Sequence, residues 1–155
     1  MPSKSSIQNL SAIETIVMVG YPKGLWDDVN NLPLTRKGIT ATPFYKDYKG
    51  KKEFIIDITC LPGSSGSPII LLNEGTYPTK DGGIAIGRRF FLLGILSSAF
   101  FYTDYHQIVS TIPINIPLHS KTQTLMNLGL CIKSSCLEDF TKMEFFPKKT
   151  SKLTN

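Results

Sequence analysis

A run of small residues between two apolar segments is the part of this sequence best suited to chemistry. Positions 61–68 read LPGSSGSP, and the glycines allow a tight backbone bend that leaves N–H groups uncovered. Such a loop can hold an anion. A phosphate-binding loop would need Lys followed by Ser or Thr after its last glycine, and an α/β-hydrolase turn would need glycine in place of Ser67. Both of those sites are therefore excluded.

Other reactive residue types are sparse. The chain has two histidines, His106 and His119, and both follow the small-residue loop. Its three cysteines, Cys60, Cys131 and Cys136, have neither CxxC spacing nor histidine companions, which argues against a disulfide framework and against a zinc site. We therefore expect a reduced compartment, no metal and no cofactor.

Length and composition are those of an ordinary folded domain. With 155 residues, of which 41% are hydrophobic and 19% charged, the chain can bury one core. The net charge of +5 is moderate, and much of the excess lies in a polar turn at 46–52 and in the C-terminal tail, so no specific nucleic-acid partner is expected. The polar first residues lack the apolar core of a signal peptide, and no apolar stretch is long enough for a membrane span. This pattern predicts a cytoplasmic protein that does not bind membranes.

Apolar, β-branched segments separated by turn signals indicate an all-β fold. The predicted strands are Glu14–Gly20, Leu34–Thr42, Phe54–Ile58, Ser67–Leu72, Arg88–Ser97 and Leu128–Ile132. Six short strands at this spacing are typical of a closed or nearly closed antiparallel barrel.

Only the C-terminus has a helical pattern. Ser135 and Glu138 have the spacing of a capping box, Leu137 and Phe140 would share one face, and Pro147 would end the helix. The expected organisation is an N-terminal segment at 1–12, a barrel domain at 13–146 and a basic flexible tail at 147–155.

The small-residue loop and its flanks resemble the trypsin-like serine peptidases. GSSGSP at 63–68 matches the family motif Gly-x-Ser-Gly-[Gly/Ser]-Pro. VMVGYPKGL at 17–25 and RKGITA at 36–41 are similar to the opening strand pair of the C-terminal barrel in the disulfide-free bacterial branch. Further segments recur in the family's order, namely DIT at 57–59, LGILS at 93–97 and NLGLCI at 127–132.

This resemblance covers about Ile13 to Phe145, which is nearly the whole chain. It implies a six-stranded antiparallel Greek-key barrel with a short C-terminal helix, equivalent to the C-terminal half of a chymotrypsin-fold double barrel. Ser65 would be the nucleophile, and the N–H groups of Gly63 and Ser65 would form the oxyanion hole. The substrate pocket would have Thr59 at its base, with Ser97, Ser98 and Ala99 along one wall.

The base that this chemistry requires is missing from its family position. A serine hydroxyl is a poor nucleophile until an oriented base removes its proton. In the family, His and then Asp precede Ser and come from the N-terminal barrel, whereas here no histidine precedes Ser65. Asp27 and Asp28 lie in a loop of the wrong barrel, and a lone loop histidine such as His106 is usually a surface group.

The resemblance therefore implies a truncated part of a two-barrel serine endopeptidase, inactive as this chain alone. Its partners would be a peptide or protein substrate and the missing N-terminal half. Without that half, the exposed apolar face would favour self-association. The alternative is a pseudoprotease, a barrel that binds a protein partner without turnover.

Overall fold

Antiparallel strands make up most of the chain that the structure describes. The structure is a computed structural model that describes residues 1–108 and 118–141. Two short helices flank the strands, α1 (Lys4–Gln8) and α2 (Leu137–Thr141). The strands are β1 (Thr15–Gly20), β2 (Leu34–Thr40), β3 (Glu53–Asp57), β4 (Pro68–Pro78), β5 (Ile84–Ile108) and β6 (Leu118–Lys133). The predicted class of six antiparallel strands with a short C-terminal helix is confirmed.

The strands do not pair simply in chain order. They are hydrogen-bonded in the order β1-β2-β3-β6-β5-β4, and β4 pairs in turn with β1. The third strand therefore lies beside the last one, with Ile56 opposite Gly129, and not beside β4. Because β4 pairs with β5 from its first residue, Pro68, the small-residue loop before β4 lies against β5.

The core follows from the alternation of side chains along the strands. In β1, Ile16 and Met18 point inward and are fully buried, while the residues between them are half-buried. Phe54 of β3 is also fully buried, and its ring packs edge-to-face on Phe44, with the centroids 5.1 Å apart. The core also takes in Leu10, so the segment before β1 is part of the packed structure.

A buried ion pair ties the start of β1 to β5. Glu14 is 2% exposed and receives two hydrogen bonds from the Arg89 guanidinium, Nη1 to Oε1 at 3.1 Å and Nη2 to Oε2 at 2.6 Å. The Arg89 Nε donates to Asn73 Oδ1 at 2.9 Å, and the guanidinium lies 4.0 Å from the Tyr77 ring centroid. The Ser11 N–H adds a further donor to the carboxylate. Each of the three guanidinium nitrogens of Arg89 therefore donates to an acceptor, which offsets the cost of burying the charge.

The structure lengthens three of the predicted strands. β4 continues to Pro78, β5 runs from Ile84 to Ile108, and β6 starts at Leu118. These extensions pair as two hairpin arms, β4 with β5 and β5 with β6. Their side chains are exposed on at least one face, as for Ile84 and Ile86 at 78% and 86%, so they lack the apolar pattern that marks a buried strand.

The C-terminal helix begins later than its capping pattern predicts. A 3-10 turn, Ser134–Cys136, precedes α2, so Ser135 lies inside that turn and not at the position before the helix. The predicted helix end at Pro147 and the predicted tail at 147–155 lie outside the described residues. In the part of the chain that the structure describes, no helix has the length and apolar character needed to cross a membrane.

Candidate functional site

The loop before β4 consists of two consecutive tight turns. The Ser64 N–H donates to the Leu61 carbonyl at 3.0 Å, and the Ser67 N–H donates to the Ser64 carbonyl at 3.1 Å. Gly63 and Gly66 both have left-handed backbone angles, with φ of 84° and 87°, which residues with a β-carbon rarely adopt. The glycine spacing of the motif is therefore required by the turns.

The loop is fastened on both sides to the sheet. On one side, the Gly66 N–H donates to the Leu96 carbonyl at 2.8 Å, and the Leu96 N–H donates to the Ser67 carbonyl at 2.9 Å. On the other side, the Lys23 N–H donates to the Pro62 carbonyl at 2.7 Å. These bonds fix the loop between β5 and the turn that follows β1.

Gly63 carries a steric constraint that Gly66 does not. A β-carbon at Gly63 would lie 3.0 Å from both the Lys23 N and the Tyr21 O, whereas one at Gly66 would meet nothing within 4 Å. Both glycines have a positive φ, so an alanine at either position would have the same backbone strain. A difference in stability between the two alanine variants would therefore come from the contacts with Tyr21 and Lys23.

We therefore expect Gly63→Ala to destabilise the protein more than Gly66→Ala. The left-handed conformation costs about 1–2 kcal/mol for alanine at either position, and the contacts with Tyr21 and Lys23 should add about 1 kcal/mol at Gly63 alone. Urea denaturation of both variants measures the difference. Equal losses of unfolding free energy in the two variants would mean that Tyr21 and Lys23 move aside without a measurable loss of stability.

Ser65 lies at the exposed apex of this loop. Its side chain is exposed and lines a cleft of about 290 Å³, together with Ser97, Ser98 and Ala99 of β5. Among the described residues, neither the Gly63 N–H nor the Ser65 N–H has a hydrogen-bond acceptor. The structure thus brings the predicted nucleophile and one predicted pocket wall into the same cleft, with the free amide of Gly63 two residues before Ser65 in the same loop.

Thr59 is the predicted pocket residue that does not line this cleft. It is exposed, and its carbonyl accepts a hydrogen bond from Arg36 Nη1 at 2.5 Å. Its neighbour Cys60 lines the cleft instead. The assignment of Thr59 to the pocket base stays a prediction from the resemblance.

Arg36 of β2 lies beneath the loop and was not singled out as a functional residue from the sequence. Its Nη2 donates to the hydroxyl of Ser64 at 2.9 Å, and Ser64 is fully buried. Its Nε is buried without a partner in the part of the chain that the structure describes. No sequence signal indicates these contacts, because the two acceptors are 23 and 28 residues away along the chain.

The histidines lie on a hairpin arm and not beside Ser65. His106 pairs with Ser120, and Gln107 pairs with His119, on the distal part of β5 and β6. Both imidazoles are exposed, and neither lines the cleft. Along β5, His106 is about 17 Å of extended chain beyond Phe101, the cleft residue of that strand that lies nearest to it in sequence.

Cys60, which lines the same cleft as Ser65, is unsuited to act as a nucleophile. Burial raises the pKa of the Cys60 thiol, an effect that the positive charge of Arg36 opposes. Its Sγ donates to the Ile58 carbonyl at 3.2 Å. Burial also raises the pKa of Cys131. Both thiols are therefore protonated at neutral pH and pack as small apolar groups.

Asp27 organises its own loop and does not face Ser65. Its carboxylate accepts hydrogen bonds from the side chain and N–H of Asn30 and from the N–H of Val29. The hydrogen bond from the Asn30 side chain contributes most to lowering the pKa of Asp27. This carboxylate stabilises the turn between β1 and β2.

Metal ligands do not cluster in residues 1–108 and 118–141, where no group of three or more His, Cys, Asp or Glu side chains could hold an ion. The site therefore consists of one exposed hydroxyl, free backbone donors and a mainly apolar cleft with serines on one wall. No protein-family model, curated protein or solved structure matches the chain.

Proposed function

We propose that this chain is the C-terminal barrel of a trypsin-like serine endopeptidase and that Ser65 is its acylated nucleophile. In this proposal the six strands form a closed Greek-key barrel, which the pairing of β4 with β1 supports. The observation that carries the proposal is the exposed Ser65 side chain, next to two amides without acceptors, at the wall of an open cleft.

The arrangement suits acyl transfer because charge develops on a carbonyl oxygen when a hydroxyl attacks it. Two N–H groups that are already free and held by a fixed turn can stabilise this charge without reorganisation, and removing one such donor typically costs about 2.7–4 kcal/mol of transition-state stabilisation. The Gly63 N–H and the Ser65 N–H would be these donors. Ser97, Ser98 and Ala99 would contact the substrate side chain, with Thr59 at the pocket base.

Proton removal from Ser65 has to come from elsewhere. Both histidines of the sequence lie on the distal arm of β5 and β6, and no imidazole or carboxylate of the described residues lines the cleft. We infer that a histidine and an aspartate from an N-terminal barrel complete the site. Peptide-bond hydrolysis then belongs to the two-barrel assembly, and this chain by itself is inactive.

A protein-binding role without turnover is the second candidate. The absence of a base beside Ser65 in the described residues favours it, since a barrel that lost catalysis could keep the cleft for binding while its loop no longer supports acyl transfer. The two candidates differ in whether Ser65 becomes reactive once a base is present.

A fluorophosphonate probe separates them, because it labels an activated serine much faster than an unactivated one. We expect the wild-type chain alone to label slowly and imidazole to accelerate labelling of Ser65, since a free base can replace a missing histidine. Fusion to the N-terminal barrel of a disulfide-free bacterial relative should accelerate it further. Intact mass and peptide mapping identify the labelled residue.

The controls are Ser65→Ala, which should abolish labelling, and Ser5→Ala, which removes an exposed hydroxyl outside the cleft and should change the rate little. Absence of a Ser65 adduct under every condition would falsify the peptidase proposal. It would leave the binding role as the better account.

A further inference from the structure

We propose that Arg36 is a positioning residue that holds the small-residue loop in the conformation required for anion stabilisation. This inference rests on the proposed function for its chemical meaning, although the contacts themselves do not. One guanidinium reaches two segments of the site, the Thr59 carbonyl before the loop and the Ser64 hydroxyl within it. It thereby connects the entrance of the loop to its centre.

The hydrogen bond from Arg36 to the Ser64 hydroxyl is the contact through which Arg36 would position the loop amides. Ser64 is fully buried and lies between Gly63 and Ser65, the two residues whose amides are free. The peptide N–H of Ser64 is bonded to Leu61 and its carbonyl to Ser67. The hydroxyl bond to Arg36 adds a third fixed point. A rotation about Ser64 would turn the Ser65 N–H, which shares a peptide unit with the Ser64 carbonyl, and would shift the adjoining Gly63.

The shape of the guanidinium matters as well as its charge. Its planar fork presents two N–H groups at a fixed separation, which a lysine ammonium does not reproduce. The neighbouring Lys37 is exposed and makes no hydrogen bond or ion pair through its side chain in the described residues. It is therefore a matched control on the same strand.

Hydrogen exchange of the intact chain tests the positioning role without any activity. The amides to follow are Ser64, Gly66 and Ser67, which are protected by loop hydrogen bonds, with Ile56 of β3 as a core reference. In Arg36→Met we expect exchange of the loop amides to be about tenfold faster, with the core amide changed less than about twofold. In Arg36→Lys the loop amides should exchange at a rate between those of Arg36→Met and the wild type. In Lys37→Met they should exchange at the wild-type rate.

Ser64→Ala covers the case in which Arg36→Met fails to fold. It removes the hydroxyl acceptor alone and should accelerate exchange at Gly66 and Ser67 in the same way. Unchanged loop protection in these variants, or an equal rise at loop and core amides, would overturn the positioning role.

Labelling of Ser65 provides the second readout. With imidazole present, Arg36→Met should slow fluorophosphonate labelling about 10- to 100-fold, since small displacements of catalytic groups have effects of this size. The probe concentration at half-maximal rate should stay the same, because the cleft wall on β5 is untouched. A labelling rate equal to that of the wild type would contradict the proposal. If the wild-type chain never labels, the proposed function fails while the exchange experiment still decides the role of Arg36.

Discussion

Arg89→Met is expected to lower the free energy of unfolding by about 3–5 kcal/mol, because it leaves the Glu14 carboxylate buried without its partner. That carboxylate is 2% exposed, and the only other donor to its oxygens in the described residues is the Ser11 N–H. Urea denaturation at neutral pH measures the loss. The variant Glu14→Gln should show a loss of the same kind, since it leaves the guanidinium without a counter-charge.

The neighbouring arginine is the control for this pair. Arg88 forms an exposed contact with Glu74 at 3.5 Å, and both side chains are about two-thirds exposed, at 69% and 66%. Arg88→Met should therefore change stability by less than about 1 kcal/mol. The double variant Glu14→Leu/Arg89→Met should recover part of the loss, because it removes both charges. A stability of Arg89→Met within 1 kcal/mol of the wild type would show that water reaches Glu14 freely.

Phe54→Ala should cost a similar amount, about 3–5 kcal/mol, through loss of buried area and the cavity left behind. Phe54 is fully buried in β3, and its ring contacts Phe44 edge-to-face. A β-carbon at Gly94 of β5 would lie 2.9 Å from the Phe54 ring, so the site is tightly packed on that side. Chemical denaturation followed by circular dichroism measures the effect.

Phe90 provides the matched exposed phenylalanine. It lies on β5 with 58% of its surface exposed, and Phe90→Ala should change stability by less than about 0.5 kcal/mol. Similar losses for both variants would mean that Phe90 is covered in solution, for example by another copy of the chain.

Strand positions were largely predictable wherever one face is buried. The alternation of Ile16 and Met18 with half-buried residues marks β1, and the run around Phe54 marks β3. The ends of the long hairpins were not predictable, since Gly75, Pro78 and Gly87 resemble loop residues although they lie in paired strands. The pairing of β3 with β6 is also invisible locally, because it joins segments that are far apart in sequence.

Of the candidate site, only the features that depend on residues adjacent in sequence were predictable. The glycine spacing around Ser65 is a local property, and the turns at Gly63 and Gly66 follow from it. The contacts of Arg36 depend on how β2 lies beneath the loop, which no local pattern encodes. The capping pattern at Ser135 is local, but it gave the wrong helix start. The 3-10 turn that follows β6 includes Ser135, so the helix begins after it.

The pairing of β3 with β6 has a consequence for synthesis of the protein. The two hydrogen-bonded segments are separated by all of β4 and β5, so β3 has an unpaired edge on the emerging polypeptide until residues near Gly129 have been translated. An open edge of this kind can recruit other strands, and closure over so long a separation is slow. Ribosome pausing late in the message would prolong this interval, and holdase chaperones that cover strand edges would have their greatest effect there.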